Sequence, residues 1–212
     1  MDDERCAIIL GGGAGRRLGG VAKAAIRLGG NRLVDTICGD LEDRGVGRGR
    51  QVFVAGAHVE APRGVRRTLE DPPDGGPLAG IAAGVAALGL HAGASPESLV
   101  GVVSVDAPLG GAIVGDLFGA CPPGGAVLAR SRDGHRHHLL AVYSATGLVS
   151  ALETLSRRWP GTDEGRYANV RDRAARHLVE ALASPPVYVD VDAEAMDIDT
   201  PVDLAVWGAS IN

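Results

Sequence analysis

The sequence has few aromatic residues and few cysteines, and both shortages limit what the protein can be. Phe, Trp and Tyr make up 3% of the 212 residues, so the core has to be built from Ala, Val, Leu and Ile. The three cysteines, Cys6, Cys38 and Cys121, are widely spaced and form no Cys-x-x-Cys pair. Neither a disulfide framework nor a thiolate zinc site is therefore expected, and a reducing cytoplasm is the expected location.

Long apolar runs and an excess of positive charge are also missing. No stretch reaches the ~20 apolar residues that a membrane-spanning helix needs. The acidic start, Met1-Asp2-Asp3-Glu4-Arg5, is unlike a secretory signal. The formal net charge of −5 argues against a general surface for nucleic acids or acidic membranes. We therefore expect a globular protein that has neither nucleic acid nor membrane as a partner.

Apolar runs alternate with segments of helical periodicity along the chain. This alternation predicts an α/β fold, as a single three-layer α/β/α domain over residues 1–212, whose mostly parallel sheet contains an antiparallel strand. The predicted strands are residues 6–10, 51–56, 65–69, 99–105, 126–132, 138–143 and 186–191. The predicted helices are residues 31–44, 77–90, 146–159 and 169–183, with a last helix that begins at Pro201.

Glycine is abundant, at 32 residues, and it is concentrated directly after the first predicted strand. Residues 11–20 are too rich in glycine for a helix or strand, and Arg16, Arg17 and Lys23 lie in or just after this loop. Lys23 is the only lysine among 21 basic residues, and its compact ammonium has a geometry that arginine cannot copy. Backbone N–H groups in such a loop can converge on an anion, so we predict a polyphosphate-binding loop. The alternative is a flexible surface loop; the loop fits neither the Gly-x-Gly-x-x-Gly nor the Walker A pattern.

Acidic residues near the predicted strand ends are candidate metal ligands. Asp106 directly follows strand 99–105, at the carboxyl end where parallel α/β sheets bind ligands. With a polyphosphate loop on a neighbouring strand, Asp106 is predicted to bind Mg²⁺, the alternative being a turn aspartate. Asp197 and Asp199 are interpreted as caps of the last helix rather than as a second carboxylate ligand. The histidine-rich segment 135–138 is interpreted as a solvated polar turn, not a metal site.

Four motifs occur in an order that is typical of one enzyme family. They are Leu10-Gly11-Gly12-Gly13 with Arg17-Leu18-Gly19 and Lys23; Gly76-Pro77-Leu78-Ala79-Gly80; Asp106-Ala107-Pro108; and Asp199-Thr200-Pro201-Val202-Asp203-Leu204. On these motifs the sequence resembles the molybdenum cofactor guanylyltransferase family, the MobA-like nucleotidyltransferases. The resemblance covers nearly the whole chain, and four motifs in order are more specific than any single glycine-rich loop.

The resemblance implies a fold similar to the nucleotide-diphospho-sugar transferases, which is Rossmann-like. It also implies that GMP is transferred from GTP to molybdopterin, with Mg²⁺ and with release of pyrophosphate. Contact with proteins that mature molybdenum enzymes is a further expectation. The implied catalytic residues are Lys23, Arg17 and Asp106, with Asp106 as the metal ligand. The implied nucleotide-binding residues are Leu10, Gly11, Gly12, Gly13, Lys23, Asp71, Gly76, Pro77, Leu78, Gly80 and Asp106.

Several positions depart from the family pattern. Ala22 replaces the acidic residue expected before the lysine, Ala55 falls where an asparagine is often found, and Asp199 replaces a late asparagine. Gly12 is typical of the guanylyltransferases rather than of the related cytidylyltransferases. Two alternatives stay open: a nucleotidyltransferase that uses CTP or another phosphorylated acceptor, and a non-catalytic nucleotide-binding homologue.

Overall fold

The computed structural model of the protein describes residues 5–11, 22–95, 97–159, 167, 169–192 and 197–210. The described strands are β1 Arg5–Leu10, β2 Arg27–Leu28, β3 Asn31–Arg32, β4 Gln51–Val54, β5 Arg66–Thr68, β6 Leu99–Ser104, β7 Ala126–Ser131, β8 Arg136–Ser144, β9 Val187–Val191 and β10 Ala209–Ser210. The described helices are α1 Leu33–Asp43, α2 Gly76–Ala87, α3 Gly110–Leu117, α4 Ala145–Arg158, α5 Arg176–Glu180 and α6 Pro201–Trp207. None of these helices is long and apolar enough to cross a membrane.

Seven strands form one sheet in the order β5-β4-β1-β6-β8-β7-β9. Strand β1 is parallel to both β4 and β6, β4 is parallel to β5, and β7 is parallel to β9. Strand β8 runs antiparallel to its two neighbours, β6 and β7. The predicted α/β fold, with a mostly parallel sheet and an antiparallel strand, is therefore confirmed. A small antiparallel sheet joins β10, β2 and β3.

Helices cover both faces of the large sheet, because successive side chains of a strand point to opposite faces. On β1, Ala7 and Ile9 pack into a buried cluster with apolar residues of α1 and α3. Ile8 and Leu10 pack into a second buried cluster with apolar residues of α2, α4 and α5. The continuous apolar run of β1 thus has the burial on both faces that it predicted.

The register of the three central strands decides where the site lies. Leu10 at the end of β1 pairs with Val54 of β4 and with Ser104 of β6. The three parallel strands therefore end at the same level, and the loops that follow them leave from one edge of the sheet. Gly11, the first residue of the glycine-rich segment, and the acidic turn at Asp106 lie at this edge.

The predicted helix over residues 169–183 is wrong for most of its length. Asn169 and Asp172 have φ values of 70° and 56°, in the left-handed region that a right-handed helix cannot contain. The helical part is only α5, Arg176–Glu180. Val170 and Leu178 are nevertheless buried, at 2% and 0% exposure. The apolar spacing therefore indicated burial correctly, while the backbone conformation differed.

Candidate active site

The turn after β6 and residues 197–199 meet beside the carboxyl ends of β1 and β6. The N–H of Val105 donates a hydrogen bond to the carbonyl oxygen of Leu10 at 3.0 Å, which continues the pairing of the strands by one residue. The N–H of Ile198 donates to the carbonyl oxygen of Asp106 at 2.7 Å. This second bond brings residues 197–199, from the end of the chain, beside the acidic turn after β6.

Lys23 lies between two carboxylates at this edge. Its Nζ is 2.9 Å from Asp106 Oδ2 and also forms an ion pair with Asp199 Oδ1. The lysine side chain is 14% exposed and the Asp106 side chain 22%, so the pair is partly shielded from water. Burial alone lowers the pKa of Lys23, but the hydrogen bonds and charges of Asp199 and Asp106 outweigh it and raise the pKa. The ammonium is therefore charged at every physiological pH.

Asp197 is the third carboxylate of the cluster. Partial desolvation, followed by the nearby charges of Asp106 and Asp199, raises the pKa of Asp197 to about 6. A second cation nearby would stabilise the ionised form of Asp197, because Lys23 is already paired with Asp106 and Asp199. Asp106 and Asp197 therefore offer oxygen ligands of the kind that Mg²⁺ and Mn²⁺ prefer.

The carboxylates fit a metal ion that is held mainly by its substrate. Among the residues that the structure describes, no group of three or more His, Cys, Asp or Glu side chains is arranged to hold a metal ion. Mg²⁺ in phosphoryl-transfer sites commonly takes one or two carboxylates, with phosphate oxygens and water completing its shell. Asp106 and Asp197 match that pattern, in which the nucleotide supplies the remaining ligands.

A cleft of about 810 Å³ opens from this cluster. One side is formed by Gly76 and Pro77 at the start of α2, together with Asp106 and Asp197. The rest of the lining, which we call the basic side, is formed by the β7–β8 turn and the segment before α5, and it is rich in basic residues. These basic residues are His135, Arg136, His137, His138, Arg173 and Arg176.

The positive charge of the basic side comes from arginine at neutral pH. Burial, with a further contribution from the charge of His135, lowers the pKa of both His137 and His138. Arg136, Arg173 and Arg176 are exposed, and a guanidinium is positively charged in proteins. The cleft thus has a carboxylate side suited to a metal ion and a basic side suited to an anionic group.

The structure gives four of the predicted nucleotide-binding residues packing roles. Leu10 and Leu78 are buried, at 6% and 0% exposure, in the same core cluster. A Cβ atom at Gly80 would lie 3.1 Å from Leu10 Cδ2, so this glycine lets α2 approach the sheet. The N–H of Gly11 already donates to the Val54 carbonyl at 2.9 Å. These four residues have packing or backbone roles at the strand ends, and their predicted part in nucleotide binding stays a prediction.

The other predicted residues are distributed as follows. Gly76 and Pro77 line the cleft, as does Asp106. Asp71 is exposed in the loop that leads to α2, and its side chain is not among the residues lining the cleft. Gly12, Gly13, Arg16 and Arg17 lie outside the described residues, and their roles stay predictions.

The interpretation of Asp197 and Asp199 as helix caps is wrong. The cap of α6 is Thr200, whose side chain accepts a hydrogen bond from the N–H of Asp203 in a capping box. The side chain of Asp199 instead contacts Lys23. Thr200 stands directly before Pro201 and is itself a residue type that caps helices. The sequence therefore already indicated that neither aspartate was needed as the cap.

The basic side of the cleft was also missed from the sequence. The segment 135–138 is a partly exposed strand end after the Asp133-Gly134 turn, as predicted, but it also faces the cleft. Arg173 and Arg176 fall in the helix predicted over residues 169–183, and the sequence alone did not point to a cleft there. They line the cleft because the left-handed Asp172 redirects the chain before α5 begins.

Comparison with known proteins places this fold and site in the class of nucleotidyltransferases. A molybdenum cofactor guanylyltransferase of Acidiphilium cryptum (strain JF-5) is 31% identical over 195 residues, which cover 91% of each chain. The crystal structure of molybdopterin-guanine dinucleotide biosynthesis protein A from Archaeoglobus fulgidus is similar with a TM-score of 0.60 and 20% identity, over 96% of both chains. The Mycobacterium tuberculosis H37Rv protein Rv0371C, solved in complex with manganese, is similar with a TM-score of 0.59 and 14% identity, over 96% and 97% of the two chains.

The family follows from a match over most of the chain. Residues 7–185 match the family model of the MobA-like NTP transferase domain. The chain belongs to this family, and it is a nucleotidyltransferase enzyme.

Proposed function

We propose that the protein transfers GMP from GTP to the terminal phosphate of molybdopterin and releases pyrophosphate, with Mg²⁺ as the metal. The names of the Acidiphilium and Archaeoglobus proteins support this choice of nucleotide and acceptor, and the manganese complex of the mycobacterial protein supports a divalent ion. The observation that carries the proposal is the contact between Lys23 and Asp106, where Asp106 lines a cleft that is also lined by arginines.

The two sides of the cleft have separate tasks in this proposal. Asp106 and Asp197 would hold the metal ion, which when bound neutralises charge on the triphosphate. Lys23 stays protonated and adds a second positive charge near the leaving pyrophosphate. The arginines of the basic side attract the anionic acceptor and orient it toward the nucleotide. Arg17 is assigned to the phosphates on the strength of the family motif alone.

The reaction needs no nucleophile from the protein. A phosphate oxygen of molybdopterin forms a bond to the α-phosphorus of GTP, and the bond between that phosphorus and the bridging oxygen to the β-phosphate breaks. The electron pair leaves with pyrophosphate, whose negative charge is what the site has to stabilise. Positioning and charge neutralisation therefore account for catalysis. We assign the reaction to the cytoplasm, in keeping with the unbridged thiols of Cys38 and Cys121.

The proposal is tested by an asparagine substitution with a matched control. Asp106→Asn keeps the shape of the side chain but removes the charge that holds Lys23 and the metal. We expect it to abolish Mg²⁺-dependent pyrophosphate release from GTP in the presence of molybdopterin. Asp116→Asn is the control, because Asp116 is 72% exposed on α3 and pairs only with the surface residue Arg44 at 2.7 Å. Full activity of Asp106→Asn would remove this residue as the metal ligand.

Base specificity is tested by thermal shift with GTP, CTP, ATP and UTP, each with Mg²⁺. A ligand that binds only the folded protein raises the unfolding temperature according to its affinity and concentration. We expect the largest shift with GTP. A larger shift with CTP would assign the protein to the cytidylyltransferases, and no shift with any nucleotide would favour a homologue that has lost the activity.

A further inference from the structure

The side chain of Arg171 joins two segments that meet beside the cleft. Its Nη1 donates a hydrogen bond to the carbonyl oxygen of Pro72, and its Nη2 donates one to the carbonyl oxygen of Pro73 at 3.1 Å. A guanidinium carries its N–H donors in one rigid plane, so it can hold two consecutive carbonyls in a fixed geometry. Residues 70–77, which we call the α2 entry loop, are thereby tied to the segment before α5.

Further contacts bind the α2 entry loop to the same segment. The N–H of Asp172 donates to the carbonyl oxygen of Gly75 at 2.8 Å. A Cβ atom added at Gly75 would lie 2.8 Å from Arg171 Nη1 and 3.3 Å from its Cζ, so the guanidinium lies directly against the Gly75 backbone. The N–H of Gly75 is held within the loop by Glu70 Oε1 at 3.2 Å. The guanidinium therefore contacts the loop at three positions, Pro72, Pro73 and Gly75.

The α2 entry loop leads directly into the cleft. Gly75 is the N-cap of α2, and the next two residues, Gly76 and Pro77, line the cleft. Pro72 and Pro73 are both exposed, so the carbonyls that Arg171 holds belong to a surface segment. Core packing of Leu78 fixes α2 on the sheet, and the bonds from Arg171 and Asp172 hold the loop that leads into it.

We propose that Arg171 is a positioning residue for the nucleotide. It holds the carbonyls of Pro72 and Pro73, and so it places the α2 entry loop and the start of α2 as one wall of the nucleotide site. The inference rests on the proposed function, because it requires that the cleft lined by Gly76 and Pro77 binds the nucleotide. Arg171 touches no reacting atom, so its effect is on nucleotide binding rather than on the chemical step. Lysine cannot take its place, because an ammonium lacks the planar pair of donors.

The test compares Arg171→Met and Arg171→Lys with Arg132→Met. Arg132 is 77% exposed and pairs with Asp192 on the surface, so its loss controls for the removal of one arginine charge. Binding of Mg²⁺–GTP is measured by calorimetry without acceptor. We expect about tenfold weaker binding for both Arg171 variants, which corresponds to loss of the two charge-assisted bonds, and wild-type binding for Arg132→Met. In steady state the KM for nucleotide should rise about tenfold, with kcat changing less than twofold.

A second measurement follows the loop itself. Hydrogen exchange of the amides of Gly75 and Asp172 should become faster in Arg171→Met, because both amides belong to the contact that Arg171 supports. Added guanidinium ion at non-denaturing concentration should restore part of the nucleotide affinity of Arg171→Ala. Full affinity in Arg171→Lys, or unchanged exchange with unchanged affinity in Arg171→Met, would overturn the inference. If the wild-type protein itself binds no nucleotide, the proposed function fails as well.

Discussion

Replacing Lys23 by methionine should weaken catalysis and strengthen metal binding in the same protein. Lys23 Nζ contacts both Asp106 and Asp199, and no other lysine exists in the chain. A metal ion bound by Asp106 must compete with the ammonium for the carboxylate oxygens. Methionine has a similar length and no charge, so it removes this competition and leaves Asp106 and Asp199 without their shared cation.

The size of the effect follows from the geometry. At about 4 Å and an effective dielectric constant of about 20, two unit charges attract by about 4 kcal/mol. Screening reduces this value, because the side chains of Asp106 and Asp199 are 22% and 45% exposed. If removal of the ammonium makes metal binding more favourable by about 1–2 kcal/mol, a divalent ion should bind roughly tenfold more tightly.

The assay uses Mn²⁺ alone, without nucleotide, and records the unfolding temperature. At saturating Mn²⁺ the shift should be about 3–6 °C larger in Lys23→Met than in the wild type, given roughly 2–4 °C per kcal/mol for a protein of this size. Turnover of the variant should fall by about 10²–10³, because the lost charge acts on the leaving pyrophosphate. In Lys23→Met combined with Asp106→Asn, the additional Mn²⁺ shift should disappear.

Two outcomes would refute the reasoning. An Mn²⁺ shift equal to that of the wild type would show that the ammonium does not compete for Asp106. Unchanged pyrophosphate release would show that Lys23 has no role in the reaction. A gain of metal affinity together with unchanged turnover would separate the two, leaving Lys23 as a counter-ion of the carboxylates only.

Two further predictions concern packing and pH. Gly111→Ala should lower the free energy of unfolding by about 1–3 kcal/mol, because the new Cβ would lie 2.5 Å from the backbone oxygen of Ile37 on α1. Gly119→Ala, which meets no atom within 4 Å, should change stability little in the same thermal melts; equal losses would contradict the packing argument. Burial raises the pKa of the Cys38 thiol from 9.0 to about 12, so the folded state retains a proton that the unfolded state loses above pH 9. Stability should therefore fall between pH 9 and 12 by up to about 1.4 kcal/mol per pH unit for this thiol, and denaturant titrations of Cys38→Ala should show a shallower fall.

The fold could be predicted because its signals are local. The apolar run of β1, the helical spacing of α1 and α4 and the Asp133-Gly134 turn each depend on a few consecutive residues. Segment 169–176 could not be predicted in the same way. Its apolar residues have helical spacing, but Asn169 and Asp172 adopt left-handed backbone conformations that interrupt a helix. This segment instead contacts a distant part of the chain, where Arg171 binds the carbonyls of Pro72 and Pro73.

The proximity of Lys23 and Asp106 was predicted, but the contact of Lys23 with Asp199 was not. Asp106 and Lys23 were singled out by their types and places, and the structure brings them within 2.9 Å. Asp199 was interpreted as a cap, because an acidic residue before a helix has that role in most sequences. Only the fold shows that Thr200 takes the cap and releases Asp199 to Lys23, 176 positions earlier in the chain.

The amino-acid sequence by itself determined the α/β class, the seven strands of its large sheet and the residue types available for binding a metal and a triphosphate. Those properties follow from hydrophobic periodicity and from chemistry within short segments. The tertiary structure alone decided that Asp106 and Asp199 share one ammonium, that arginines and carboxylates line the same cleft, and that Arg171 holds the α2 entry loop. The physical reason is that a strand's register and a helix's packing set the distances between residues far apart in the chain, and no local pattern records those distances.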